Sequence, residues 1–287
     1  MSERAAVTNE GQIEYWNGRT GEKWAANQER MDRLLAPFSQ AVIEALAPTQ
    51  GERAIDIGCG CGATTRAIAE RVGSEGLALG VDVSRPMVEH ARALAQAEGN
   101  AAEFLIADAS SHAFEGPGFD MLASRFGVMF FADPPAAFTH MHGAMKPGGR
   151  LTFACWRPLT ENSWFHVPLF AALEHVPAPE APPAGAPGPF AFQDRDRVNE
   201  ILRTAGFSDI AIDPFDAEMT VGRASEDPVE DALQQSLEIG PFSRLFAELD
   251  EATRDKAVDA VRKALDAHRS DRGVVLNGSV WLVTARA

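Results

Sequence analysis

Cysteine is scarce in this chain: three occur among 287 residues. Two of them, Cys59 and Cys61, share one glycine-rich stretch, and Cys155 closes a later apolar run. So sparse and odd a set supports no disulfide framework and fits a reducing compartment. The Cys59-Gly60-Cys61 spacing, with no second Cys or His pair nearby, is a poor zinc pattern. No metal is expected, and both thiols are expected to pack in a crowded loop. Positive charge is short as well, with 26 Lys and Arg against 41 Asp and Glu and a net charge of −15. That balance argues against a nucleic-acid partner, whose grip rests on neutralised phosphates, and against an anionic membrane surface. No apolar run is long enough to cross a bilayer, and Met1–Val7 carries no apolar signal core. The expected location is therefore the cytoplasm. Tyrosine occurs once, at Tyr15, in an aromatic-rich stretch near the start.

What is present is ordinary globular composition, 45% hydrophobic and 23% charged, enough for one large domain or a domain with additions. Residues 1–50 read as helical, with Ile13, Trp16, Trp24, Leu34, Leu35, Phe38, Val42, Ile43 and Leu46 near helical spacing. From residue 51 to 157 strands and helices alternate. Strands are expected at Arg53–Ile57, Leu77–Val83, Glu103–Ala107, Phe119–Ser124 and Arg150–Trp156, with helices at Thr64–Val72, Arg85–Ala97 and Asp133–Met145. Strict alternation implies a mainly parallel sheet covered on both faces. The pattern then breaks. Residues 158–195 read as a loose insertion carrying the proline run 177–185, and proline at that density fits neither helix nor central strand. Residues 196–222 return to a helix and a strand, 223–272 read as a helical insertion with Leu233, Leu237, Leu245, Phe246, Leu249, Val258, Val261 and Leu265 as its stripe, and 273–287 hold a final strand.

The chemistry-bearing stretch is Ala54-Ile55-Asp56-Ile57-Gly58-Cys59-Gly60-Cys61-Gly62-Ala63, followed by Thr64-Thr65 and an amphipathic helix. A strand, a tight turn and a helix N-terminus stand in order, and glycine there lets the backbone turn and a ligand approach the peptide groups. Two fingerprints are satisfied at once. Gly58, Gly60 and Ala63 fit G-x-G-x-x-G/A of dinucleotide folds, and Asp56, Gly58, Gly60 and Gly62 fit D-x-G-x-G-x-G. Asp82 closes the second strand about twenty residues on, where an acid can accept from ribose hydroxyls in either case. Asp108 closes the third strand, and Met145-Lys146-Pro147-Gly148-Gly149-Arg150-Leu151 precedes the fifth. These last two features separate the readings.

In that order the four features resemble the class I methyltransferases that use S-adenosylmethionine (SAM), in particular the small-molecule branch of the ubiquinone and menaquinone type. The resemblance is strongest over residues 50–157, and Tyr15-Trp16-Asn17-Gly18 with Trp24 looks like that group's N-terminal cap. It implies an α/β fold with a doubly wound, mainly parallel seven-stranded sheet, a helical cap over 1–50 and lid insertions at 158–195 and 223–272. By the same resemblance, Asp56, Gly58, Gly60 and Gly62 form the methionine-side loop. Asp82 and Val83 hold the ribose and adenine, Asp108 and Ala109 hold the adenine, and Ser124, Arg125 and Phe126 line the pocket beside the sulfonium. The product would be S-adenosylhomocysteine (SAH) and the acceptor a small organic molecule, methylated by in-line displacement in a lid-covered pocket. Such a transfer asks mainly for alignment and exclusion of water, with a base only for a protonated nucleophile. His112, after Asp108, and His166, in the first insertion, are the base candidates; His140 and His142 lie on an amphipathic helix. Tyr15 and Trp16 could border the cofactor by cation–π attraction. Asp133-Pro134-Pro135 resembles a DNA-methyltransferase motif but lacks its aromatic, and reads as an N-cap with proline behind it. The rival readings are a non-catalytic SAM- or nucleotide-binding protein, an RNA-modifying methyltransferase, disfavoured by charge, and a nicotinamide oxidoreductase, disfavoured by Asp108.

Overall fold

The computed structural model describes residues 9–114, 118–178, 183, 185–223, 227–238 and 249–287. Met1–Val7, part of the proline run (179–182 and 184), and Leu245 and Phe246 of the expected stripe lie outside them. Three helices lead, α1 (Glu10–Asn17), α2 (Arg19–Ala26) and α3 (Gln28–Leu46). Then come β1 (Arg53–Ile57), α4 (Ala63–Val72), β2 (Leu77–Asp82), α5 (Arg85–Glu98), β3 (Glu103–Ile106), β4 (Phe119–Arg125), α6 (Pro134–Gly143) and β5 (Met145–Trp156). The chain continues through α7 (Ser163–Leu173), α8 (Arg195–Thr204), β6 (Ser208–Arg223), α9 (Pro228–Glu238), α10 (Glu251–Asp266), the two-residue β7 (Arg269–Ser270) and β8 (Gly273–Arg286).

The strands run β3-β2-β1-β4-β5-β8-β6, with β7 beside β8 off that path. Neighbours from β3 through β5 pair in parallel, and β8 pairs antiparallel to β5. This is the expected doubly wound, mainly parallel sheet, and the strand order reverses between β1 and β4. The apolar runs explain it: Ala54, Ile55 and Ile57 of β1 and Met121, Leu122 and Ala123 of β4 are all buried, as strands covered on both faces must be. Helix α3 lays Leu34, Leu35, Phe38, Val42, Ile43 and Leu46 inward at helical spacing. Helix α6 starts where Asp133 Oδ1 accepts from the Ala136 N–H at 3.1 Å, with Pro134 behind it, so the expected N-cap stands.

The chain forms two compact units. One comprises residues 1–156, 185–214 and 280–287, and the other residues 157–184 and 215–279. The second unit corrects the loose reading of 158–195: α7 lies there, with Pro168 inside it. An internal proline costs a helix about 3 kcal/mol. Burying Phe165 and Ala172 returns a similar amount, about 1.5–3 kcal/mol for the large apolar side chain alone. Fully buried Asn162 pins the start of α7: its Oδ1 accepts from the Ser279 N–H at 2.8 Å, and its Nδ2 donates to the carbonyls of Arg157 and Pro158. Helix α10 packs on α7 and α9 through Ala257, Val261 and Leu265.

Two other boundaries differ from expectation. Met145 belongs to β5, not to the preceding helix, and Pro147-Gly148-Gly149 sits inside that strand as a bulge. Phe119 faces Met145 while Met121 faces Arg150. Gly148 takes φ 77° there and its N–H donates to the Ala287 carbonyl at 2.7 Å, so the irregular backbone stays satisfied. Strand β6 runs one residue past the expected 196–222 segment, and β8 fills nearly all of 273–287.

Candidate functional site

In an open α/β sheet, ligands bind outside the carboxyl ends of the strands where the order reverses. Here those ends carry Ile57 and the glycine loop, Asp82, Ile106 with Asp108 just beyond, and Arg125. The loop glycines differ in what holds them. Gly58, Gly60 and Gly62 all take positive φ, at 67°, 54° and 80°. A Cβ on Gly58 would lie 2.5 Å from Gly127 Cα, and one on Gly62 would lie 2.5 Å from the Phe104 ring. At Gly60 the nearest atom would be Met87 Sδ, 3.8 Å away. Gly58 and Gly62 are therefore glycine for packing, whereas Gly60 leaves open room beside the backbone, as a loop that receives a ligand needs.

Asp82 holds that loop open. Its Oδ2 accepts from the Gly60 N–H at 2.9 Å and its Oδ1 from the Ser84 N–H at 2.8 Å. Burial pushes its pKa up, and the N–H groups of Ser84, Gly60 and Val83 pull it back. Asp56 lies deeper. Its Oδ2 accepts from the Thr65 hydroxyl at 2.6 Å, while its Oδ1 is buried with no hydrogen bond among the described residues. Burial raises Asp56 to about 7, against the Thr65 bond and the nearby Arg125 charge, with Asp82 adding a smaller upward push. Arg125 donates from Nη1 to Ser39 Oγ at 2.8 Å, and burial lowers its pKa against the pull of Asp32, Asp56 and Cys61. Cys59 and Cys61 also rise by burial, Cys61 to about 12, so both are thiols at neutral pH.

Asp108 takes three donors on one oxygen: Asn9 Nδ2 at 3.0 Å, Ser110 N–H at 2.9 Å and the Ser110 hydroxyl at 2.7 Å, all to Oδ1. Its other oxygen receives none of them. Ala109 beside it is buried. Val83 gives its carbonyl to Asn17 Nδ2 at 2.8 Å, and Asn17 Oδ1 accepts from the Arg85 N–H at 3.0 Å. Ser84 Oγ donates to the Trp16 carbonyl at 2.7 Å. Tyr15 and Trp16 are thereby brought to the turn after Asp82, where Trp16 meets Tyr15, Trp24 and Phe130 edge-on at 5.3, 6.0 and 5.2 Å.

Past β4 the three expected pocket residues divide. Ser124 is fully buried and ties β4 to β1, its hydroxyl donating to the Ile57 carbonyl at 2.7 Å and accepting from the Gly127 N–H at 3.2 Å. It braces the switch point from below. Phe126 takes φ 68°, a region bulky side chains rarely enter. Its ring stacks on Trp156 at 4.1 Å and meets Phe38 edge-on. His112 lies on the turn after Asp108, its N–H donating to the Asp108 carbonyl at 2.9 Å and its ring edge-on to Phe114. His140 Nε2 bonds the His112 carbonyl at 2.8 Å, and His142 packs against Phe207. His166 belongs to the other unit, on α7, with Nδ1 3.3 Å from the Leu159 carbonyl and its ring against Phe170. The two base candidates thus do not share a unit.

Residues that motif reading passed over complete the cradle. Thr65 holds Asp56. Gly127 lets β4 close on Gly58. Arg66 donates to the Cys61 carbonyl at 2.8 Å while Glu98 holds its Nε at 2.9 Å. Asn9 bridges Asp108 and the Ala132 N–H. Thr65 and Arg66 could have been suspected from helical spacing after the loop, but nothing local marks Asn9. The cradle fits an adenosine-bearing ligand: two carboxylates close neighbouring strands, room opens at Gly60, and Gln12 Oε1 is buried with no partner among the described residues.

Residues 54–149 match a family model described as a methyltransferase domain. The chain is 32% identical over 166 residues to the aklanonic acid methyltransferase of Streptomyces sp. (strain C5), covering 53% of this chain and 74% of that protein. It is 28% identical over 218 residues to the demethylmenaquinone methyltransferase of Geobacillus kaustophilus (strain HTA426), covering 69% of this chain and 90% of that one. Among solved structures, phosphoethanolamine N-methyltransferase 2 of Haemonchus contortus, in complex with S-adenosyl-L-methionine, aligns with a TM-score of 0.56 at 19% identity. That alignment covers 98% of this chain but 60% of the worm protein, and it speaks to the fold.

Proposed function

The chain belongs to the class I SAM-dependent methyltransferases, and from that premise we propose that it methylates a small organic acceptor within the cytoplasm. One observation carries the reading. Asp82 fixes the open Gly60 peptide while presenting its carboxylate at the carboxyl end of β2. Bound at this cradle, SAM supplies an electrophilic methyl group on a sulfonium.

The chain's own residues do the rest. Asp82 accepts from ribose hydroxyls, and Asp108 from the adenine amino group. The glycine loop, braced by Thr65, Asp56 and Arg66, receives the methionine end. Phe126, Tyr15 and Trp16 offer aromatic faces to a cationic centre. For an acceptor that arrives protonated, His112 takes the proton, with His166 the second candidate. The net charge of −15 supports a small molecule rather than a nucleic acid as partner.

The test is turnover. The protein is incubated with methyl-labelled SAM and a panel of hydroxylated quinones, carboxylic acids and amines, and SAH is followed by mass spectrometry. SAH with a labelled product is the expected result. Tight SAM binding with no SAH from any acceptor would favour a non-catalytic binder, and no SAM binding would end the reading. His112→Ala should lower the maximal rate, leave SAM affinity nearly intact, and flatten the pH profile of the rate. An unchanged rate and pH profile would exclude His112 as the base.

A further inference from the structure

Asn9 stands at the N-cap position of α1, where an asparagine usually turns its side chain onto the first helical N–H groups. Here its side chain makes no such bond among the described residues. Its backbone carbonyl alone serves the helix, accepting from Gln12 and Ile13 at 2.9 Å. The amide is spent across the sheet instead. Nδ2 donates to Asp108 Oδ1 at 3.0 Å and to Ser110 Oγ at 3.3 Å, and Oδ1 accepts from the Ala132 N–H at 2.8 Å. A cap residue that gives up its local bond for partners 99 to 123 positions away marks a tie with another purpose.

The three donors on Asp108 all fall on Oδ1. They fix the carboxylate plane and leave Oδ2 to accept from something else. One turn along α1, Gln12 shares Asn9's face and carries a buried Oε1 with no donor among the described residues. Farther along the same segment, Trp16 and Asn17 are bound to Ser84, Val83 and Arg85 at the end of β2. The segment from Asn9 to Asn17 is therefore a strap laid across the ends of β2 and β3.

We infer that Asn9 is a positioning residue for the cofactor's adenine: it orients Asp108 so that Oδ2 accepts from the 6-amino group, which makes the strap part of the nucleoside site. The inference rests on the reading of Asp108 as the adenine acceptor. It predicts that base recognition depends on a residue that never touches the base.

The experiment measures, by calorimetry, binding of SAH and of its 6-deamino analogue, whose purine keeps N1 but lacks the amino group. Wild type should prefer SAH. Asn9→Ala should weaken SAH roughly tenfold, the scale of one hydrogen bond to a charged group, and leave the deamino analogue nearly unchanged. Asn9→Asp keeps an acceptor for the Ala132 N–H but sets a like charge against Asp108, and should lose the preference at least as fully. Circular dichroism and thermal melts check that both variants fold. Equal losses for the two ligands, or Asn9→Asp binding like wild type, would reduce the strap to a structural tie and overturn the inference. Asp108→Ala separates the two levels. If it abolishes the preference and Asn9→Ala does not, only the Asn9 role falls. If it leaves the preference intact, the adenine reading of Asp108 falls first.

Discussion

Asp56 illustrates how a single buried carboxyl group can tie stability to pH. Burial raises it to about 7, with the Thr65 hydroxyl and Arg125 opposing. A folded-state pKa above the unfolded value means that the folded chain holds the proton more tightly. The resulting stabilisation is full below the unfolded carboxylate range, near 3.8, and is lost as pH rises through about 7. Asp56→Asn keeps an oxygen for the Thr65 hydroxyl and cannot ionise. Thermal melts of the variant without ligand should therefore decline less than wild type between mildly acidic and mildly alkaline pH. Parallel curves would show that the folded chain holds the Asp56 proton no more tightly than the unfolded chain does. Asp82 is a different case, because its two oxygens already serve the loop. Asp82→Ala removes the loop clamp and, on the proposed function, the ribose acceptor, so SAM and SAH should weaken by about 1–3 kcal/mol by calorimetry. Unchanged affinity in a folded variant would remove Asp82 from the site.

Between β1 and β4 the glycines make a sharper contrast than their shared motif suggests. Gly127→Ala would set a Cβ 2.5 Å from the Ile57 carbonyl oxygen and 2.6 Å from Gly58 Cα, both backbone atoms that cannot swing away. It should destabilise the fold by roughly 1–3 kcal/mol or more and lower the melting temperature. Gly60→Ala has room, so its penalty is the left-handed backbone, about 1–2 kcal/mol, and its larger effect should be on SAM affinity. Equal melting temperatures for the two variants would contradict this division. Gly60 was visible in the sequence because the D-x-G-x-G-x-G spacing is local; Gly127 was not, since its need for glycine arises only when β4 lies beside β1. The same line separates the other elements. The alternating β and α segments and the acids at strand ends were legible because burial and strand register repeat over short windows. Helix α7 was hidden by Pro168, whose local penalty is outweighed by apolar packing with distant α10. The bulge at Pro147-Gly148-Gly149 depends on the Ala287 carbonyl, and the Asn9 bridge on residues some hundred positions away. Such long-range partners leave no periodicity to read.

Taken whole, the chain carries 15 more acidic than basic side chains, and that excess bears on ligand choice as well as partner choice. SAM carries one positive charge more than SAH, on its sulfonium. A strongly acidic protein attracts the reactant more than the product through its long-range field. Exposed acids contribute the part of this attraction that salt can screen, since the Debye length falls from about 10 Å at 0.1 M to about 3 Å at 1 M. Buried Asp82, at the cradle itself, contributes a part that salt screens much less. Raising sodium chloride across that range should therefore weaken SAM binding severalfold while changing SAH binding little, so that product inhibition grows with ionic strength. Calorimetric titration of both ligands at matched salt concentrations measures it directly. Equal salt slopes would mean that the exposed acids lie too far from the cradle to matter, and would leave discrimination between reactant and product to buried Asp82 and the aromatic rings.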